Sequence, residues 1–419
     1  MEQYDVIIIG AGTGGIMTAA QLKKSRKKLK IALIDKAEMH VYQAAYTLVG
    51  AGTFDYEKTM RPTLEYIPNG VDWIRDFVAS INPKQHTVKT SDNVELSYKY
   101  LVVSPGVQVD LGAIPGLREA VDEGVVCSNY IDPRETWKQV QAFNGGTAIF
   151  TLPSTPIKCG GAPQKTAYLA TDYWKNKRKM TNFTSVYAAP GSVIFGVEPI
   201  KNTLLKVIDR YGIDFKPLFL IQRIDSKNKI AFFKFNGAQE AWDALDLSKE
   251  KGAQKLEDQV VSIPFDFMHI APPQKAPEFL KVSGLTNEAG WVDVDINTLQ
   301  HNVYNNIFGI GDAAALPTAK TGAAIRKQVP VIVSNILSME DKGAISNERY
   351  YGYSSCPLVT GYGKMVLAEF DYQNNFTPDP KLKQMLVFNS DKEHWRLWML
   401  KKYALPHLYW TKMLKGEKV

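Results

Sequence analysis

The tightest constraint on how this chain folds lies at its start. Tyr4-Asp5-Val6-Ile7-Ile8-Ile9 is a short apolar run rich in β-branched side chains, as in a parallel strand buried on both faces. Gly10-Ala11-Gly12-Thr13-Gly14-Gly15 follows and matches GxGxxG at Gly10, Gly12 and Gly15. Ile16, Met17, Ala19, Ala20 and Leu22 then suit a helix. A second strand, Lys30-Ile31-Ala32-Leu33-Ile34, ends at Asp35, 20 residues after Gly15. Each small residue has a job. Gly10 makes the tight turn, Gly12 lets backbone approach a pyrophosphate, and Gly15 lets helix and strand close up. The helix start offers free N–H groups to phosphate, and Asp35 an acceptor for a ribose hydroxyl. A glycine pattern alone is weak; strand, loop, helix, strand and acid in this order predict a dinucleotide site.

Composition narrows the class. With 419 residues, 45% hydrophobic and 22% charged, the chain is an ordinary globular one with room for two domains. No apolar run reaches 18 residues, so no membrane-spanning helix is predicted. Strand-like sequence begins at Tyr4, so no secretory signal or transit peptide is expected. The three cysteines, Cys127, Cys159 and Cys356, form no CxxC, and the six histidines do not cluster near them. No metal site is expected. The net charge of +7 is concentrated in residues 381–419, which hold nine basic and three acidic residues. A nearly neutral body argues against nucleic acid as a partner.

Two later segments point to the cofactor. Tyr100-Leu101-Val102-Val103-Ser104-Pro105-Gly106 is an apolar strand with a small-residue turn, and Ile307-Phe308-Gly309-Ile310-Gly311-Asp312 is another ending in Gly-Asp. Both resemble recurring segments of the two-dinucleotide-binding-domain flavoproteins. That resemblance implies FAD, with Pro105 and Gly106 near the pyrophosphate and Asp312 on the ribityl chain. Small residues after Asp312 would open a helix whose positive end faces the flavin and stabilises its reduced, anionic edge. Lys320 and Thr321 are placed there, although a solvated lysine at a helix start fits equally well.

A second glycine fingerprint is missing. Gly146-Thr147-Ala148-Ile149-Phe150-Thr151 reads as the corresponding central strand. It runs into Leu152-Pro153-Ser154-Thr155-Pro156-Ile157-Lys158-Cys159, where prolines and bulky residues replace the glycines. A nicotinamide site is not expected, and a cysteine stands in its place.

Cys159 precedes a helical pattern at Tyr168, Leu169, Tyr173 and Trp174, so a helix start and Lys158 or Lys165 would favour its thiolate. Cys356, beside Pro357, reads as a partly exposed loop residue feeding a strand. Spacing does not establish whether the two meet. The stretches Val125–Tyr130, Thr155–Lys165, Gly290–Asp295, Ser355–Tyr362 and Leu367–Tyr372, with the segments above, resemble the sulfide:quinone oxidoreductases of the mitochondrial type. The resemblance implies a Cys159–Cys356 disulfide beside the flavin. Hydrogen sulfide would attack Cys356 and leave a persulfide, and Cys159 would pass electrons to FAD and on to a quinone. A small nucleophile would accept the sulfur. Cys127 reads as a buried structural thiol, with a third redox role as the alternative.

Other residues have plainer readings. His40 reads as a turn histidine, with a place by the cofactor as the alternative. Glu369 and Asp371 alternate with Phe370 and Tyr372 and read as exposed carboxylates on a half-buried strand. Packing accounts for Trp291.

The tail carries Trp395, Trp398, Met399 and Tyr403 at helical spacing, flanked by Arg396, Lys401 and Lys402. Pro406 is expected to end that helix, and Leu408, Tyr409, Trp410, Met413 and Leu414 to begin another. The tail reads as an interfacial foot on a membrane surface, with Trp395, Trp398, Tyr409 and Trp410 on the membrane and quinone side. Packing of both helices on the body is the alternative.

The expected fold class is α/β: two Rossmann-like dinucleotide-binding domains and a C-terminal amphipathic helical tail. Residues 1–115 and 295–345 would form the FAD domain, 116–294 the second domain, and 346–419 the tail region. The expected location is peripheral, on the cytoplasmic side of a membrane, with homo-oligomerisation left open. The competing functions are an NADH:quinone reductase, the flavin subunit of a cytochrome-linked sulfide dehydrogenase, and a flavin redox sensor.

Overall fold

A computed structural model describes residues 2–417, so Lys418 of the basic tail lies outside the described residues. The first sheet has seven strands. Glu2–Ile9 lies at its centre, between Ile31–Ile34 and Glu95–Val103, and is parallel to both. Val71–Ile74 extends one edge, and Ile307–Gly309 pairs with the end of Glu95–Val103. Val6, Ile7, Ile8 and Ile9 are all buried, as a strand covered on both faces requires. Helix Thr13–Ser25 covers one face, with helix Gly322–Lys342 packed beside it. The carboxyl ends of the parallel strands converge at Gly10, Asp35, Ser104 and Ile310. Open α/β sheets bind ligands at that edge.

The second sheet is parallel, in the order Asp214–Pro217, Phe183–Ala189, Gly146–Thr151, Phe267–His269. Its two faces are covered differently. One packs against an antiparallel sheet that includes Phe219–Asp225, Ile230–Phe235 and Val260–Pro264. The other packs against helices Ala162–Asp172 and Glu198–Tyr211. A hairpin, Ser354–Gly361 with Lys364–Phe370, lies against helix Ala162–Asp172.

The hairpin corrects two sequence expectations. Cys356 lies within a strand and is buried, and Glu369 is buried as well. Period-two alternation predicts one wet face, but helix Ala162–Asp172 and the tail cover both faces of this hairpin. Asp371, one residue past the strand, stays partly exposed as expected.

The tail is one helical run from Trp395 to Met413, and Pro406 does not break it. The wider π turn Leu400–Ala404 precedes the proline, so the missing N–H falls where the ladder is already re-registered. The run is two-faced. Trp395, Met399 and Tyr403 are exposed, whereas Leu397, Trp398, Tyr409, Trp410 and Met413 pack on the body. Of the four aromatic residues expected to meet a membrane, only Trp395 faces outward. No helix among the described residues is long and apolar enough to cross a membrane.

Candidate active site

One large cavity, about 850 Å³, opens at the carboxyl edge of the first sheet. Its wall brings together Gly10, Gly12, Gly14, Asp35, Pro105, Gly106, Gly311, Asp312, Lys320, Thr321 and Cys159. Gly15 sits beneath: a Cβ there would lie 1.9 Å from the Gly10 carbonyl oxygen. Gly10, at φ +96°, is equally closed to a side chain, whose Cβ would meet the Ser104 carbonyl oxygen at 2.4 Å. A Cβ on Gly12 would meet nothing within 4 Å, so its open side faces the cavity. Asp35 is held by the backbone N–H groups of Ala11 (2.7 Å) and Ala37 (2.8 Å). These features, with the volume, fit an extended dinucleotide.

Cys159 lines the same cavity. Cys159 has a left-handed backbone, φ +53°, a strained conformation for a side-chain-bearing residue. Three hydrogen bonds hold its backbone. Its N–H donates to the Lys320 carbonyl (2.7 Å), and its carbonyl accepts from the Ala162 N–H (2.7 Å) and the Tyr130 hydroxyl (3.2 Å). Helix Ala162–Asp172 begins three residues on, with Pro163 in its first turn. Cys356 approaches from the hairpin, between cavity-wall residues Ser355 and Pro357. The two side chains are in hydrogen-bonding contact, both as free thiols.

Their charges are arranged oppositely. A hydrogen bond from Cys356, aided by Lys165 with its ammonium 3.0 Å away, holds the Cys159 thiol well below its usual pKa. Cys356, hydrogen-bonded to that thiolate and buried, is pushed well above. Burial disfavours the Lys165 charge, but the sulfurs outweigh it and keep the lysine protonated.

More cations surround the site. Lys320 is buried, donates to the carbonyls of Asp312 (2.6 Å) and Ala314 (3.1 Å), and lies 4.0 Å from the Trp291 ring centre. Burial brings its pKa down to about 8. Lys320 is therefore not solvated, and Trp291 is more than packing. Burial lowers Lys158 too and raises Asp312. Lys401 comes from the tail, is buried, and donates to the Ala44 carbonyl (2.6 Å). Burial, aided by Lys165, brings it down to about 8.

Lys401 and Tyr130 were missed in the sequence. A signal for Lys401 existed: it lies four residues after Leu397 and three after Trp398, on the inward stripe, where a solvated lysine does not belong. Tyr130 had none beyond its neighbourhood. His40 also departs from the turn reading: it lies buried on strand Met39–Val41 and lines the cavity. Cys127 lies off the cavity wall, with its sulfur 3.6 Å from the Met268 carbonyl and its pKa pushed up by burial. Among the described residues no group could hold a metal ion.

Comparison with known proteins gives the family. Residues 4–147 match the family model described as pyridine nucleotide-disulphide oxidoreductase. The mouse protein named sulfide:quinone oxidoreductase, mitochondrial, is 36% identical over 418 residues, covering 99% of this chain and 87% of that one. The Dictyostelium discoideum protein of the same name is 34% identical over 417 residues, covering 98% and 86%. In fold, the crystal structure of the sulfide:quinone oxidoreductase from Aquifex aeolicus superposes with a TM-score of 0.78 at 20% identity, over 100% of this chain and 92% of that one. With identity above 30% along nearly its whole length, a chain that opens on this glycine loop and sets Cys159 against Cys356 belongs to the sulfide:quinone oxidoreductase family.

Proposed function

We propose that this flavoprotein oxidises hydrogen sulfide through Cys159 and Cys356 and passes two electrons, by way of bound FAD, to a membrane quinone. The observation that carries this reading is the contact of Cys159 with Cys356 at the wall of the cavity lined by the glycine loop and Asp312. Gly12, Gly14 and the start of helix Thr13–Ser25 would face the pyrophosphate, Asp35 the adenosine ribose, and Asp312 the ribityl chain. When bound, FAD supplies a two-electron acceptor for a thiol pair and a two-electron donor to quinone.

The chain's own chemistry starts from the oxidised pair. Hydrosulfide attacks the Cys356 sulfur, a sulfur–sulfur bond forms there, and the Cys159–Cys356 bond breaks. Cys159 leaves as thiolate, stabilised by Lys165 and by the start of helix Ala162–Asp172; a low-pKa leaving group speeds such exchange. Cys356 then carries a persulfide. A small nucleophile takes the outer sulfur and leaves two thiols. Closing the disulfide again releases two electrons and two protons. Lys158, Lys165, Lys320 and Lys401 make the chamber electropositive, which draws in hydrosulfide and an anionic sulfur acceptor. The tail supplies a membrane-surface foot through Trp395, Met399 and Tyr403, beside exposed Leu386 and Phe388. The cavity wall at Leu382, Met385 and Leu400 gives a quinone an apolar entry next to that foot.

The test is an anaerobic sulfide titration followed by the flavin spectrum. Sulfide should bleach the flavin, and decylubiquinone should restore it. Cys159→Ala and Cys356→Ala should each abolish bleaching; bleaching retained in either variant, or NADH serving as well as sulfide, overturns the reading.

A further inference from the structure

A residue of the tail is wired into the glycine loop. The Tyr409 hydroxyl lies 2.6 Å from His40 Nε2 and 2.7 Å from Thr13 Oγ1, and His40 Nδ1 lies 3.0 Å from the Ala11 carbonyl oxygen. Donor chemistry orders this chain. A carbonyl only accepts, so Nδ1 of His40 carries the proton, and burial keeps the ring neutral. Nε2 is then an acceptor, and Tyr409 must donate to it. The Thr13 hydroxyl donates in turn to the Tyr409 oxygen. The bonds thus run Thr13 to Tyr409 to His40 to Ala11, a loop closed through two residues of the dinucleotide turn.

Packing reinforces it. Tyr409 packs against Tyr42 in a tilted pair with ring centres 4.5 Å apart, and its neighbour Trp410, 3% exposed, lies 5.2 Å from Tyr66. Thr13, His40 and Tyr409 all line the same cavity.

We propose that the C-terminal helical run is a retaining strap of the dinucleotide site. Tyr409 and His40 act as positioning residues that hold the Ala11–Thr13 turn in its cofactor-binding shape. The inner face of the tail holds the cofactor loop while its outer face, at Trp395, remains free for a surface. Coupling of this kind is reciprocal: what loosens the strap weakens cofactor affinity, and bound cofactor tightens the strap by the same factor. The inference rests on the reading that the cavity holds FAD.

Release of flavin from the loaded full-length protein, followed by the fluorescence of free FAD, tests it. Tyr409→Phe keeps the ring and the packing but removes the hydroxyl. It should raise the FAD dissociation rate about tenfold. The thermal midpoint should fall further in the FAD-loaded than in the FAD-free protein, whereas a purely structural role would lower both equally. Trp395→Ser, on the outer face, should leave FAD release unchanged. Trypsin should cut after Lys412 and Lys415 several-fold faster in FAD-free than in loaded protein. A Tyr409→Phe release rate within twofold of wild type, or tail cleavage indifferent to FAD, overturns the strap. Wild-type protein that takes up no flavin overturns the cofactor reading first, and the strap with it.

Discussion

The Lys165 ammonium stands 3.0 Å from the Cys159 sulfur, and both belong to the short span that enters helix Ala162–Asp172. An opposite charge at this distance shifts a buried thiol by about one to three pKa units. Lys165→Met should therefore slow alkylation of Cys159 by iodoacetamide at mildly acidic pH by about tenfold or more. Its rate–pH curve should move to higher pH. Mass mapping of the alkylated cysteine reads this directly. An unmoved curve would show that the Cys356 hydrogen bond alone sustains the thiolate.

The glycine loop separates folding from binding. Gly12→Ala adds a methyl that meets no protein atom within 4 Å. It should cost only about 0.5 kcal/mol through a weaker helix cap. Flavin affinity should nevertheless fall at least tenfold, because the methyl occupies the pyrophosphate's approach. Gly15→Ala places its Cβ 1.9 Å from the Gly10 oxygen, so the fold itself should lose about 1–3 kcal/mol. Urea melts of the FAD-free variants, paired with flavin titrations, distinguish the two.

The two faces of the tail should respond oppositely to substitution. Replacing exposed Trp395, Met399 and Tyr403 together by Ser should reduce sedimentation with anionic vesicles while leaving the thermal midpoint unchanged. Trp410→Ala, on the buried face, should cost about 3–5 kcal/mol. If the outer-face variant sediments like wild type, the foot lies elsewhere.

A buried cluster away from the cavity sets a pH dependence. Lys216 Nζ lies 2.8 Å from Asp214 Oδ2 and 3.2 Å from Glu250 Oε2, with Lys249 4.0 Å from Asp214 Oδ1. Burial, with the hydrogen bond to Asp214, pushes Glu250 up to about 7. A carboxyl raised on folding prefers its proton in the native state. Its stabilising contribution is complete below its unfolded value of 4.5 and is lost as pH rises through about 7. Glu250→Gln should flatten the thermal midpoint across that window, because the amide cannot ionise. Scanning calorimetry at both ends of the window measures it.

Much of the fold was legible because it depends on near neighbours. The β-branched run Val6–Ile9, the glycines that must lack a Cβ, and Asp35 at a strand end are set by local geometry. So was the setting of Cys159, since a helix start and Lys165 lie within six residues of it. The hairpin was less legible. Alternation at Glu369 suggested a wet face, and nothing local revealed the cover that buries it and Cys356.

The amino-acid order by itself determined a nucleotide-binding strand–loop–helix, a central strand lacking the second glycine fingerprint, and a basic aromatic tail with an apolar stripe. Tertiary structure alone decided that Cys159 meets Cys356, that Lys401 enters their chamber, and that Tyr409 reaches back to His40 and Thr13. Periodicity tells which face of a segment is apolar, because it is a property of one segment. What covers that face depends on how distant segments pack, and this chain's tail divides its apolar residues between its own core and the outside.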